Sequence, residues 1–170
     1  MKKIILVIFL CILILPVFAQ ANNPSDDAKG FYFCPYAGYS FGVKNGVNTG
    51  IYAGYRFYSR ICLEAEGAYC IRREADEYKA AFNLLYDMHL DHRLFITIGV
   101  GGGSFFGQST KAVPFMGFRF SFGGDVYKNL LSIGLNYNSG ILFGDIKDLG
   151  DMGYTHGVSI GLRFLFDARN

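Results

Sequence analysis

The chain has 170 residues, 51% hydrophobic and 18% charged, with 22 Gly, 17 Phe, 12 Tyr and no Trp. Soluble domains carry about 25% charged residues, so the composition argues against an ordinary hydrated surface. A net charge of +2 offers no basic face and excludes nucleic acid as a partner.

Residues 1–19 read as an address. Lys2 and Lys3 begin it, Ile4 to Leu15 form an apolar run, and Val17-Phe18-Ala19 precede Gln20, the three parts of a cleaved signal peptide. The run falls short of the about 20 residues a spanning helix needs, and Pro16 breaks it. Bulky Ile8, Phe9 and Leu10 precede Cys11, where a lipid-anchored cysteine follows a small residue. Losing Lys2 and Lys3 leaves 14 basic against 14 acidic residues. Residues 20–29 are a polar lead-in, a single domain covers 30–166, and 167–170 form a short tail.

From Gly30 onward the apolar period is two, which predicts strands. Phe31, Phe33, Ala37, Tyr39 and Phe41 oppose Tyr36, Gly38, Ser40 and Gly42 in the first run. Ile51, Ala53, Tyr55 and Phe57 oppose Tyr52, Gly54 and Arg56 in the second. The third sets Ile61, Leu63, Ala65 and Tyr69 against Glu64, Glu66 and Ala68. The fourth sets Tyr78, Ala80, Phe82, Leu84 and Tyr86 against Lys79, Asn83 and Asp87. Leu94, Ile96, Ile98 and Val100 then oppose Thr97, Gly99, Gly101 and Gly103. Met116, Phe118, Phe120 and Phe122 oppose Gly117, Arg119, Ser121 and Gly123, and Leu131, Ile133, Leu135 and Tyr137 oppose Ser132, Gly134, Asn136 and Asn138. The eighth run, Gly157 to Phe166, sets Val158, Ile160, Leu162, Phe164 and Phe166 against Ser159, Gly161 and Arg163.

Tight turns at Tyr58–Arg60, Leu90–His92 and Tyr127–Asn129 alternate with longer links at Lys44–Asn48, Arg72–Glu77, Gln108–Lys111 and Phe143–Gly153. That layout is an all-β, closed, eight-stranded antiparallel up-and-down barrel. A soluble lipocalin-like barrel also alternates. Here the polar face is built of Gly, Ser, Asn and Thr rather than Lys and Glu, which suits a crowded lumen. The opposite face is an apolar surface for lipid, with Tyr55, Tyr69, Tyr86 and Tyr137 placed for an aromatic girdle.

Ser159, Gly161, Phe164 and Phe166 form a polar-x-Gly-x-x-apolar-x-Phe pattern that resembles the terminal assembly signal of bacterial outer-membrane β-barrels, although four residues follow it. The chain resembles small barrels of the OmpA-transmembrane-domain and OmpX kind over about 140 residues. The resemblance implies a Gram-negative outer membrane with both termini in the periplasm. It also implies contact with outer-membrane lipid and lipopolysaccharide, insertion by the barrel-assembly machinery, and a role in envelope integrity or surface interaction. An extracellular or envelope protein is the implied partner.

Inward charges form the expected lumen network: Arg56, Glu64, Glu66, Lys79, Asp87, Arg93, Arg119 and Arg163, with Asp125 beside them. Hairpin geometry pairs Arg56 with Glu64 and Asp87 with Arg93. Paired charges fill an eight-stranded lumen; the alternative is a small porin-like channel. Some small outer-membrane barrels modify lipids, which requires a nucleophile, a base and an orienting acid together. His156 and Ser159 are nearest to that, but three residues apart on a strand they face opposite sides, and His89 and His92 flank a turn. No enzyme activity, cofactor or metal is expected. Asp145, Asp148, Leu149, Asp151 and Met152 make the richest loop and the candidate contact surface, without the ligand spacing of an EF-hand. Cys34, Cys62 and Cys70 are expected to be small buried fillers, since strand two separates the first two by about 9.6 Å.

Overall fold

The computed structural model describes residues 29–57, 60–73, 75–90, 93–107, 112–127, 130–143 and 152–167. Alternation of bulky and small residues places them in eight strands. These are β1 (Gly30–Gly42), β2 (Gly46–Arg56), β3 (Ile61–Arg72), β4 (Glu77–His89), β5 (Leu94–Gly107), β6 (Val113–Tyr127), β7 (Leu131–Phe143) and β8 (Met152–Asp167). Each pairs antiparallel with the next, and β8 returns to β1, closing the barrel. Closure leaves no free sheet edge.

The first residue of β1 and the last of β8 lie at the tight-turn rim, where Gly30 pairs with Asp167. At that rim the Arg60 amide donates to the Phe57 carbonyl at 3.2 Å, and Arg60 takes a left-handed φ of 63°. At the other rim the link after β1 is shorter than expected, because β2 already starts at Gly46. Gly42 has φ 99° and Gly46 φ 148°, and a Cβ on Gly46 would fall 2.1 Å from the Ile71 carbonyl oxygen. Only glycine suits such a link. β8 is also longer than expected, beginning at Met152.

The β6–β7 ladder shifts register between Asp125 and Tyr127, and the β1–β8 seam keeps its register but has a gap. Its ladder passes from Phe33–Phe164 to Tyr36–Gly161, skipping Cys34 and Pro35, while pairing to β2 runs through both residues. A proline has no N–H to donate to a ladder. On the outer face beside this gap, Phe33 stacks on Phe164 at 4.9 Å and on Phe166 at 5.6 Å. Aromatic packing thus spans the stretch where backbone bonds are fewest.

Side chains sort cleanly by parity. The outer wall exposes Phe31, Leu63, Phe82, Val100, Met116, Leu135 and Ile160 among many others. One expected girdle residue departs from this: Tyr86 has outward parity but is buried. The lumen holds Tyr32, Tyr36, Tyr52, Leu85, Phe95, Phe105 and Leu142 together with the polar groups. A Cβ on the lumenal Gly101 would fall 2.6 Å from the Phe82 carbonyl oxygen, so the interior has no room for a larger residue there.

Candidate functional site

The lumen is the candidate site, and it is built in three polar layers between aromatic plates. Asp87 organises the layer nearest the tight turns and is fully buried. Its carboxylate accepts from Thr97 Oγ1 at 2.5 Å and from Arg163 Nη1 at 2.8 Å. Arg56 Nε lies 3.9 Å away. The Arg163 guanidinium also sits 4.9 Å over Phe95 and 5.2 Å over Tyr32. Asp125 accepts from Ser132 Oγ at 2.6 Å.

Glu64 organises the middle layer. It accepts from Arg119 Nη1 at 2.6 Å, Asn83 Nδ2 at 3.0 Å and the Tyr32 hydroxyl at 3.0 Å. Arg119 also donates to Asn136 Oδ1 at 3.1 Å and Ser121 Oγ at 3.2 Å, and its guanidinium lies 3.9 Å over Tyr52. Charge-assisted bonds of this kind are the strong ones. In the upper layer Glu66 accepts from Lys79 Nζ at 2.8 Å and from the Tyr36 hydroxyl at 2.6 Å. Above it Glu77 pairs with Lys44 and, at 3.5 Å, with Arg72, and both cations face Phe105. Phe105 packs on Phe115 at 5.1 Å, with Lys79 over Phe115.

Two expected pairs are not made. Arg56 stands opposite Cys62 in the β2–β3 register, two residues nearer the turn than the Gly54–Glu64 pair, so its guanidinium lies at the level of Asp87. Glu64 is reached instead from across the lumen by Arg119. Likewise Asp87 faces Thr97 on β5 and takes its arginine from β8. Arg93 precedes β5 and is exposed at the turn, outside the lumen network. Lys44, Arg72 and Glu77 were not expected in the network, because a sequence reading places them in links, where strand parity gives no direction. Phe95 and Phe105 share the parity of Thr97 and Gly99, and that spacing was the signal for them.

The remaining candidates fall as follows. Ser159 is buried in the lumen and accepts from Asn136 Nδ2 at 3.4 Å. Gly161 is close-packed, a Cβ there meeting Cys34 Sγ at 2.7 Å. Phe164 and Phe166 face outward across the seam. His156 also faces outward, its Nδ1 2.9 Å from the Tyr137 hydroxyl, so the His156–Ser159 pair is not brought together. Cys34, Cys62 and Cys70 are buried and unbridged. Asp145, Asp148, Leu149 and Asp151 lie outside the described residues, and Met152 is the first residue of β8 rather than a loop residue.

Between the middle and upper layers a cavity of about 60 Å³ touches Glu66, Lys79, Asn83 and Arg119. About 10–15 Å³ of such space holds one water, so this cavity has room for only a few waters. Unitary conductance in a planar bilayer is accordingly expected to be small and brief. A large, stable conductance of the unmodified protein would require these ion pairs to open.

No protein-family model matches the chain, and no curated protein matches it in sequence. Solved structures do match. The crystal structure of Neisserial surface protein A superposes with TM-score 0.69 at 15% identity, covering 82% of this chain and 99% of that one. The N-terminal β-barrel domain of Pseudomonas aeruginosa OprF matches with TM-score 0.47 at 12% identity, over 81% of this chain and 99% of that domain. The chain therefore has the closed eight-stranded fold of small barrels such as Neisserial surface protein A.

Proposed function

We propose that this chain is a non-enzymatic outer-membrane barrel, a rigid stake whose contacts are made at the rim opposite its termini. The observation that carries the reading is the inversion of polarity: Phe, Leu, Ile and Val face outward on every strand while the ionised groups face inward. In water such a wall would be one continuous exposed apolar patch, whereas hydrocarbon requires it. The lumen is filled and internally paired, which favours a structural role over conduction. Outer-membrane lipid and lipopolysaccharide would surround the wall, and the barrel-assembly machinery would insert it with the termini in the periplasm. Loops on rigid scaffolds carry variable function, so residues 145–151 are the proposed contact for an extracellular or envelope protein.

The test is behaviour in detergent gels. Folded protein should migrate differently from boiled protein and should require detergent for extraction from the envelope fraction. Unchanged migration on boiling, together with detergent-free solubility, would replace this reading with a soluble binding barrel. Cutting 145–151 back to a short turn should preserve heat-modifiability while removing the phenotype caused by deleting the whole protein.

A further inference from the structure

The apolar outer wall turns polar on β7 and β8. Along β8 the outward positions are Phe, Leu, Ile and Val from Phe166 to Val158, and then change to His156 and Tyr154. Along β7 they are Leu131, Ile133 and Leu135, and then change to Tyr137 and Ser139. Among the described residues, His156 is the only charged, amide or imidazole side chain at an outward strand position. Ser139 stands directly opposite it on β7, and Phe41 opposite it on β1.

The His156 ring is held from both sides. It stacks on Phe41 at 5.5 Å and on Tyr137 at 6.1 Å, with interplanar angles of 19° and 21°. The Tyr137 hydroxyl lies 2.9 Å from Nδ1. A phenol is a stronger acid than a neutral imidazole N–H, so the hydroxyl donates and the ring proton sits on Nε2. That tautomer leaves Nε2–H a donor with no protein acceptor among the described residues. Hydrocarbon offers no acceptor either, and an unmet donor there is costly.

Depth supplies the acceptor. Ten residues separate His156 from Phe166, which lies beside the tight-turn rim. At about 3.3 Å per residue and a tilt of about 40°, they rise about 25 Å, the height of the apolar band in such barrels. His156 therefore stands where acyl chains end and the polar part of a lipid begins, on the side away from the termini.

We infer that His156 and Ser139 form a binding site for the acyl carbonyl oxygens of a lipid in the outer leaflet. The inference rests on the membrane reading above. Directly opposed residues have Cβ atoms about 5 Å apart, so Nε2–H and the Ser139 hydroxyl serve the carbonyls of one lipid. Both donors are neutral and no outward cation accompanies them among the described residues, which matches an ester or amide rather than a free multivalent anion.

The test is native mass spectrometry of the folded protein, released from an ester-free detergent after titration with lipid A or with phosphatidylethanolamine. Heat-modifiability is the control for folding. Wild type should hold one lipid. His156→Phe, which keeps a ring for the stack and removes the donor, should weaken retention by at least about tenfold. Ser139→Ala should weaken it less, and Ile160→Ala, on the aliphatic part of β8, should leave it unchanged. An ether analogue of phosphatidylethanolamine, which has no carbonyls, should be held by wild type as weakly as the ester lipid is held by His156→Phe. A His156→Phe loss for both lipids assigns the site to acyl esters in general, and a loss for lipid A alone assigns it to lipopolysaccharide. Equal retention by wild type and His156→Phe overturns the proposal, as does equal retention of ester and ether lipids by wild type. Absence of heat-modifiability in wild type would instead remove the membrane reading itself.

Discussion

Replacing Asp87 with alanine is expected to cost about 3–5 kcal/mol of folding stability, the cost of leaving a buried charge without its partner. Asp87 has no exposed surface, and it is the charge partner of Arg163 at 2.8 Å, with Arg56 Nε 3.9 Å away. Removing the carboxylate leaves the buried Arg163 guanidinium without its charge partner in a lumen already filled by Tyr32, Phe95 and Leu85. Urea unfolding of the protein in lipid vesicles, followed through the heat-modifiable band, measures the loss. The double variant Asp87→Leu with Arg163→Met should recover most of it, because an ion pair replaced by apolar groups of similar volume is often close to neutral. A loss below about 1 kcal/mol for the single variant would mean that water reaches the lumen and solvates the arginines.

Phe166→Asp is expected to deplete the folded protein from the outer-membrane fraction. Two effects act at the same place. Phe166 is 57% exposed on the outer wall, and its ring stacks on Phe33 beside the stretch of the seam that skips Cys34 and Pro35. Losing the ring removes apolar contact of about 2–3 kcal/mol and a stacking contribution of about 0.5–1.5 kcal/mol. These losses weaken the barrel without abolishing it, so purified Phe166→Asp should still fold into vesicles at reduced stability. Failure in the cell combined with folding in vesicles would mark the recognition role that the terminal pattern suggests. Phe166→Leu should assemble, and removal of residues 168–170 should have no effect. Normal outer-membrane levels of Phe166→Asp would refute both roles.

The sequence by itself determined what strand parity determines. Parity is local: successive side chains point to opposite faces whatever the partner strand is. The faces of Tyr52, Glu64, Asp87, Arg119 and Arg163 therefore followed from alternation, and eight such runs with alternating short and longer links specified an up-and-down barrel. The link residues Lys44 and Arg72 have no parity to read, and alternation extended to Arg93 points it into the lumen although it stands outside its strand.

Who pairs with whom was decided by closure. Hairpin logic sought partners for Arg56 and Asp87 on adjacent strands, where Cβ atoms stand about 5 Å apart. The bonds that form join Glu64 to Arg119 and Asp87 to Arg163, 55 and 76 residues apart in the chain. Closing the sheet brings β8 opposite β4 and β6 three strands round from β3, across a lumen that a long guanidinium side chain can span. A carboxylate in that space binds whichever cation reaches its level, and the level is set by the register of all eight strands together.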